Sequence, residues 1–181
     1  MSDRQIVKMC SPTLAGLKTA SLINISYDSR EELLSDIRSL NKRLASKNIV
    51  TIPLKITDGR ALVYIYRPDY LLRDLSCGIV RMKLKEIGYS CKSSTECISV
   101  LRKHIYSDES FPHEIGFFLG YPPEDVLGFM SNEGMSPKMS GMWKVYGDEK
   151  KASELFDEYG KCTRELERRF DYGCSIEQLA V

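Results

Sequence analysis

The sequence predicts an α/β (α+β) fold, with helices packed on a small mixed sheet that contains a β-hairpin. The first observation is that helical and period-two apolar patterns alternate along the chain, which disfavours both an all-α bundle and a sandwich. The second is a pair of strand-like runs around an Asp58-Gly59 turn signal. The third is size, because 181 residues with 43% hydrophobic content favour one core. We therefore expect a single compact domain over residues 1–181.

The first elements follow from capping signals and periodicity. "SPTLAGLK" predicts a helix with Ser11 as N-cap and Pro12 at the first helical position. "ASLINISY" is typical of a strand. Ser29 and Glu32 form a capping-box pattern that opens a second helix, expected to run to about Lys47.

The hairpin comes next. "IVTIPLKI" alternates apolar and polar positions, and "ALVYIY" follows the turn signal. Pro53 cannot donate to a strand ladder, so we expect its side of the strand to lie at a solvent-facing or irregular edge. Helical patterns then cover residues 69–75, 77–87 and 94–105.

The stretch "FPHEIGFFLGYPPEDVLGFM", residues 111 to 130, is rich in glycine, proline and aromatic residues. Pro112 can start a short helix that has His113 and Glu114 in its first turn and Gly120 as its C-terminal cap. A second helix is expected from about Pro123. The pattern predicts a tight corner between two helices.

Two elements complete the prediction. "GMWKVYG" is typical of a short strand on which Lys144 and Tyr146 share one face and Trp143 lies on the other. A long amphipathic pattern then predicts a helix that begins at Asp148 and ends before Gly173.

Composition and missing motifs exclude several function classes. The net charge is +1, so no global field favours nucleic acid or an anionic membrane, and we expect neither as a partner. The N-terminal residues lack a signal-peptide core, and no apolar run is long enough to span a membrane. We therefore expect a cytoplasmic protein whose six cysteines are reduced. Phosphate-loop, dinucleotide-binding, nucleophile-elbow and HExxH motifs are absent.

The helix corner is the first candidate site. A His113-Glu114 pair held near the aromatic strand can form one wall of a small-molecule or metal site. We name His113, Glu114, Tyr121, Lys144 and Tyr146 as candidate ligand-binding residues. The alternative is structural: the glycines and prolines only let two helices meet over an aromatic core.

Cys10 is the second candidate. If Ser11 caps a helix, Cys10 precedes a helix N-terminus, where free N–H groups favour a thiolate. Cys10, His113 and Glu114 are therefore the candidate catalytic and metal-binding residues. The alternative is that Cys10 is a small buried hydrophobic residue, the commonest role of a free cysteine.

Three blocks carry a resemblance to a known family: "CSPTLAGLK", "HEIGFFLGYPPEDVLGF" and "GMWKVYGD". Together they resemble the bacterial family called domain of unknown function 3793. The resemblance spans nearly the whole chain and implies one domain that begins close to residue 1, in a bacterial context. It implies no catalytic residue, but it favours Cys10, His113 and Glu114, which lie inside these blocks, over Cys77 or His104.

The sequence thus leaves three function classes open. The first is a binding module for a small molecule, a cofactor or a metal, with its site near the His113-Glu114 corner. The second is a small enzyme in which Cys10 is the nucleophile and His113 the acid or base. The third is a protein-interaction module that uses an exposed edge strand. The cofactor, ligand and oligomeric state are not specified by the sequence.

Overall fold

The computed structural model describes residues 1–90, 92–107 and 111–181. It confirms the predicted combination of helices with a small sheet that contains a hairpin. The chain divides into two compact units. The first comprises residues 1–69 and 159–181, and the second comprises residues 70–158. Each unit is described by itself below.

The first unit contains the three-stranded sheet. Its elements are α1 (Asp3–Leu14), β1 (Ala20–Ser26), α2 (Arg30–Leu44), β2 (Val50–Thr57), β3 (Arg60–Tyr66), the later part of α8 (Glu149–Asp171) and α9 (Ile176–Leu179). A short 3-10 helix, Ala45–Lys47, extends α2 to the predicted end. Ser29 accepts a hydrogen bond from the backbone N–H of Glu32, as the capping pattern predicts.

The sheet is antiparallel in every described strand pair, so the mixed sheet that we predicted is wrong in this respect. Its order is β1-β3-β2. β1 and β2, which α2 connects, run parallel to each other. They form no hydrogen bonds with each other because β3 lies between them and is antiparallel to both. Gly59 turns the hairpin with φ of 68°. The register of β2 shifts between Pro53 and Lys55, on an edge strand, as predicted.

The beginning of α1 corrects the prediction for the N-terminal helix. Ser2, not Ser11, is the N-cap, and its side chain accepts a hydrogen bond from the Gln5 N–H. The apolar spacing of Ile6, Cys10 and their neighbours extends the helix backward through the Ser-Pro pair. Pro12 lies in the last turn, where its missing N–H removes only one helical hydrogen bond.

The core of the first unit is the apolar face of the sheet covered by helices. Apolar side chains of β1 and β3 pack against those of α1, α2, α8 and α9. Fully buried examples are Leu14 in α1, Leu44 in α2 and Val63 in β3.

The second unit is mostly helical. Its elements are α3 (Pro68–Leu75, which begins in the first unit), α4 (Gly78–Glu86), α5 (Ser94–Ser107), α6 (Ile115–Phe118), α7 (Pro123–Ser131), β4 (Met139–Ser140), β5 (Lys144–Val145) and the first part of α8. The predicted helices and the corner between two helices are confirmed. The start of the first corner helix was predicted wrongly, because α6 begins at Ile115 with Glu114 as its N-cap, so His113 and Glu114 precede the helix and do not lie in its first turn. Gly120 follows α6 with φ of 73°. Among the helices described, none combines the length and hydrophobicity needed to cross a bilayer.

Candidate functional site

The second unit contains a cavity of about 310 Å³ at the corner between α6 and α7. Most of its lining is apolar or aromatic, from the loop before α6, from α6, from α7 and from the residues around β5. We call it the aromatic cavity, and its lining residues are Phe111, His113, Ile115, Gly116, Tyr121, Asp125, Val126, Phe129, Met142, Trp143 and Lys144.

Asp125 of α7 fixes the wall of the cavity formed by the residues around β5. Its side chain is 3% exposed, and its carboxylate accepts three hydrogen bonds. Trp143 Nε1 donates to Oδ2 at 2.7 Å, and the backbone N–H groups of Tyr146 and Gly147 donate to Oδ1 at 2.8 Å each. One carboxylate therefore orients the indole ring and holds the chain after β5 against α7, which is a pre-organised arrangement.

The aromatic side chains contact one another in a chain. Tyr121 stacks on Trp143 with ring centroids 4.8 Å apart, and Trp143 meets Phe156 edge to face at 4.4 Å. Gly141 allows the approach of Phe156, since a Cβ there would overlap the Phe156 ring. Burial raises the pKa of Tyr121, so its phenol stays protonated at neutral pH.

Two potentially cationic side chains lie at the rim. His113 is exposed, and its ring meets the Phe129 ring edge-on with centroids 4.9 Å apart. Lys144 is also exposed, and its Nζ lies 5.7 Å from the Phe129 ring centre and donates to the Gly134 carbonyl at 2.7 Å. Both side chains therefore lie beside the same aromatic ring at the cavity.

A site of this kind can bind a small ring system through apolar and aromatic contacts. The rim adds Lys144 and, when protonated, His113, which can attract a carboxylate or phosphate group. The buried Asp125 carboxylate accepts three hydrogen bonds from the protein and serves as a structural anchor.

The family comparison has a clear result. A family model described as a protein of unknown function (DUF3793) matches residues 6–180. The chain belongs to this DUF3793 family. No curated protein and no solved structure matches the chain. The match covers nearly the whole chain, as the sequence resemblance implied.

Three of the five predicted ligand-binding residues line the aromatic cavity of this DUF3793 protein: His113, Tyr121 and Lys144. Glu114 and Tyr146 are not among the lining residues. Tyr146 instead donates its hydroxyl to the Met135 carbonyl at 3.0 Å.

Glu114 belongs to a separate buried network. It is 6% exposed, and its Oε1 accepts a hydrogen bond from the Tyr89 hydroxyl at 3.0 Å. The same oxygen lies 2.8 Å from Nδ1 of His104. Neighbouring residues on one tight turn point in different directions, so His113 and Glu114 do not form the joint wall that we predicted. No sequence pattern indicates this contact with His104, which the family resemblance did not favour as a site residue.

The face prediction for the aromatic strand also needs correction. Trp143 and Lys144 line the same cavity, although strand alternation placed them on opposite faces. The reason is that β5 comprises only Lys144–Val145. Trp143 lies in the bend before the strand, where the alternation rule does not apply.

Cys10 has the surroundings of a core residue. It lies in the third turn of α1, far from the helix N-terminus, and is 0% exposed. Burial raises the pKa of its thiol to about 12, while a hydrogen bond with Ser21 and the charge of Lys18 act in the opposite direction. The predicted helix-terminus activation is therefore wrong, because the N-cap is Ser2, nine residues before the predicted N-cap Ser11.

The three candidate metal-binding residues do not share one site. Cys10 belongs to the first unit, while His113 and Glu114 belong to the second and point apart. Within residues 1–90, 92–107 and 111–181, no group of three or more His, Cys, Asp or Glu side chains is arranged to hold a metal ion.

The main residues missed from the sequence are Asp125 and Phe129. Phe129 is half-buried and lines the aromatic cavity. An acidic residue inside the first turn of a helix usually serves the helix dipole. Asp125 fits that common role in the sequence, so no sequence pattern distinguishes it. Its burial and its three hydrogen bonds identify it as an anchor.

Proposed function

We propose that this DUF3793 protein binds a small organic molecule in the aromatic cavity, and that the ligand combines a flat apolar ring with an acidic group. The observation that carries the proposal is the concentration of four aromatic side chains around one preformed cavity. They are Phe111, Tyr121, Phe129 and Trp143. Aromatic lining with a few oriented polar groups is typical of small-molecule sites.

The size and charge of the cavity define the ligand further. A volume of about 310 Å³ lies at the lower end of the range for ligand sites, so we expect one ring or two fused rings. Lys144 and His113 are the charged or chargeable groups at the rim, while the Asp125 carboxylate already accepts three hydrogen bonds from Trp143, Tyr146 and Gly147. An acidic ligand group beside Lys144 therefore fits better than a cationic one.

The two other function classes have less support. The Cys10 thiol is buried and its pKa is raised to about 12, which opposes the thiolate that a nucleophile requires. The protein-interaction class is supported only by the presence of edge strands in the sheet, β1 and β2. We also infer a reducing, cytoplasmic setting, which is supported by the free thiols of Cys10, Cys77 and Cys174.

Native mass spectrometry of the full chain purified from its own host tests the proposal. Met142 lines the cavity and is 50% exposed, whereas Met135 is 68% exposed and lies outside the lining. Met142→Trp should fill the opening without disturbing the core, and Met135→Trp is the matched control. We expect a bound small molecule with the wild type and with Met135→Trp, and its loss with Met142→Trp.

Trp143 is the only tryptophan of the chain, so its fluorescence provides a second readout. In the wild type and Lys144→Met, a panel of aromatic acids, including 4-hydroxybenzoate, is compared with the matching uncharged amides. We expect acids to bind the wild type more tightly than amides, and Lys144→Met to abolish that preference. Absence of a co-purified molecule together with absence of a fluorescence change across the panel would overturn the proposal.

A further inference from the structure

A second concave surface of the second unit lies on α3, α4 and the residues leading into α5. Its volume is about 810 Å³, well above that of the aromatic cavity, and it shares no lining residue with that cavity. We call it the basic groove. The residues that matter for the argument are Leu72, Arg81, Met82, Lys85, Tyr89 and Lys92, all of which line it.

Large apolar side chains are exposed at this groove. Leu72 and Met82 line it and are 54% and 67% exposed; Ile79, one helical turn from Met82 and outside the lining, is 49% exposed. Exposed apolar side chains that cluster on one surface are typical of an interaction site. Methionine is well suited to such a surface, because its flexible thioether adapts to different partners.

The charge of the groove has one sign. Arg81, Lys85 and Lys92 line it, and none of the described lining residues is acidic. None of these three side chains takes part in a salt bridge among the described residues. The nearby acids are already engaged: Asp74 pairs with Arg73 at 2.8 Å, Glu86 with Lys83 at 3.0 Å, and Glu96 accepts the Lys92 backbone N–H at 2.7 Å.

The sequence around the groove is basic although the chain is nearly neutral. Residues 70–107 contain seven lysines and arginines against three acidic residues, a net charge of +4. The whole chain has a net charge of only +1, so the remaining residues carry −3. Positive charge is therefore concentrated on the segment that builds the groove.

We propose that the basic groove binds an acidic amphipathic peptide segment of a partner protein, with apolar side chains in the groove and carboxylates near Arg81, Lys85 and Lys92. Charge complementarity selects the acidic partner. The concave shape favours a convex helix or strand over a flat bilayer, and the exposed Leu72 and Met82 favour a peptide over nucleic acid. Helix-in-groove recognition uses this combination of apolar anchors and charged rim. This inference is independent of the proposed ligand in the aromatic cavity.

The test uses a displayed library of random 16-residue peptides, selected in parallel on the full-length wild type and on Arg81→Glu/Lys85→Glu. The matched control is Arg102→Glu/Lys103→Glu, which reverses two exposed cations of α5 outside the groove lining. All four positions are exposed, so both double variants should keep the wild-type circular dichroism spectrum and melting temperature.

We expect the wild type and the control to enrich peptides that combine acidic residues with apolar residues at helical spacing. One enriched peptide, labelled with fluorescein, should bind Arg81→Glu/Lys85→Glu at least tenfold more weakly than the wild type. It should bind Arg102→Glu/Lys103→Glu within about threefold of the wild type. Its affinity should fall as salt is raised from 50 to 500 mM, because the rim contacts are ionic.

Three results would overturn the proposal. The first is no enrichment, or enrichment of peptides without an acidic bias. The second is equal weakening by both charge reversals, which would indicate a general charge effect. The third is sedimentation of the wild type with phosphatidylglycerol vesicles but not phosphatidylcholine vesicles, lost in Arg81→Glu/Lys85→Glu, which would assign the groove to a lipid surface instead.

Discussion

Two buried carboxylates near the α6–α7 corner, Asp125 and Glu114, have different roles. Asp125 accepts donors from the chain around β5 and thereby shapes the aromatic cavity. Glu114 accepts a hydrogen bond from the Tyr89 hydroxyl and contacts Nδ1 of His104, and it does not line that cavity. The sequence drew attention to Glu114 because it stands beside a histidine. The structure shows instead that Asp125 lines the aromatic cavity and holds the residues around β5, whereas Glu114 does not line it.

Asp125→Ala should lower the free energy of unfolding by about 3 kcal/mol, because buried N–H donors lose their acceptor. Asp125→Asn keeps one acceptor oxygen and should cost about half as much. Urea unfolding followed by circular dichroism measures both values. In the same samples, Trp143 fluorescence should shift to longer wavelength in Asp125→Ala, since the indole loses its anchor. A stability change below 1 kcal/mol for Asp125→Ala would contradict the anchoring role.

Some helices and strands of this protein pack closely at positions where glycine has no side chain. Gly128 of α7 lies against the Tyr146 side chain, and a Cβ at Gly128 would overlap it. Gly116 of α6 is similarly close to Val126 of α7, with a Cβ 2.7 Å from Val126 Cγ2. The sequence analysis predicted Gly120 as a helix C-terminal cap and otherwise proposed only that the glycines and prolines let two helices meet. Gly120, with positive φ, fits the cap prediction, whereas Gly116 and Gly128 are required by close packing.

Gly128→Ala and Gly160→Ala should therefore change stability in opposite directions. Both lie inside helices, where alanine is intrinsically favoured by about 1 kcal/mol. At Gly160 the nearest atom to a new Cβ is the Nη1 end of Arg164 at 3.4 Å, so we expect stabilisation by up to about 1 kcal/mol. At Gly128 the overlap should outweigh propensity and destabilise by about 1–3 kcal/mol. Urea unfolding compares the two, and stabilisation by Gly128→Ala would contradict the packing.

Charge also connects elements within the first unit. Arg43 of α2 donates Nη1 to Asp3 of α1 at 2.9 Å and also binds Glu177 of α9. The hydrogen bond from Arg43 lowers the pKa of Glu177 from 4.5 to about 2. One arginine thus ties three helices, including α9, which the sequence analysis did not predict because it is only four residues long.

The sign of the Glu177 shift predicts an acid-dependent contribution to stability. The folded-state pKa is lowered, so the contribution is complete above about pH 4.5 and is lost as the pH falls toward 2. We expect Glu177→Gln to be less stable than the wild type at pH 6 and the difference to shrink below pH 4.5. Urea midpoints between pH 3 and 7 measure it. Glu154→Gln, at an exposed position without a described salt bridge, is the control, and a pH-independent difference would count against the Arg43 contact.

At the scale of the whole molecule, the sequence predicted most of the elements but less of the site. Helices with clear apolar periodicity and capping signals, such as α2 and α7, were located within a few residues. The start of α1 was missed because a local Ser-Pro signal competed with longer-range periodicity. The aromatic cavity is formed by side chains from α6, α7 and the residues around β5. Sequence patterns describe one helix or strand at a time, so they do not predict which side chains of different elements come together.

The thiols provide a test that covers the whole chain. We predict that all six cysteines are reduced in protein purified anaerobically from its own host, because the expected compartment is reducing and no spacing suggests a disulfide framework. Alkylation in denaturant without reductant, followed by mass spectrometry, should add six groups. In the native state at pH 8, the exposed Cys77 should react within minutes. Cys10 should stay unmodified until the protein unfolds, since its thiol is buried and its pKa is about 12. Fewer than six groups in denaturant would contradict the reduced state, and native modification of Cys10 at the rate of Cys77 would contradict its place in the core.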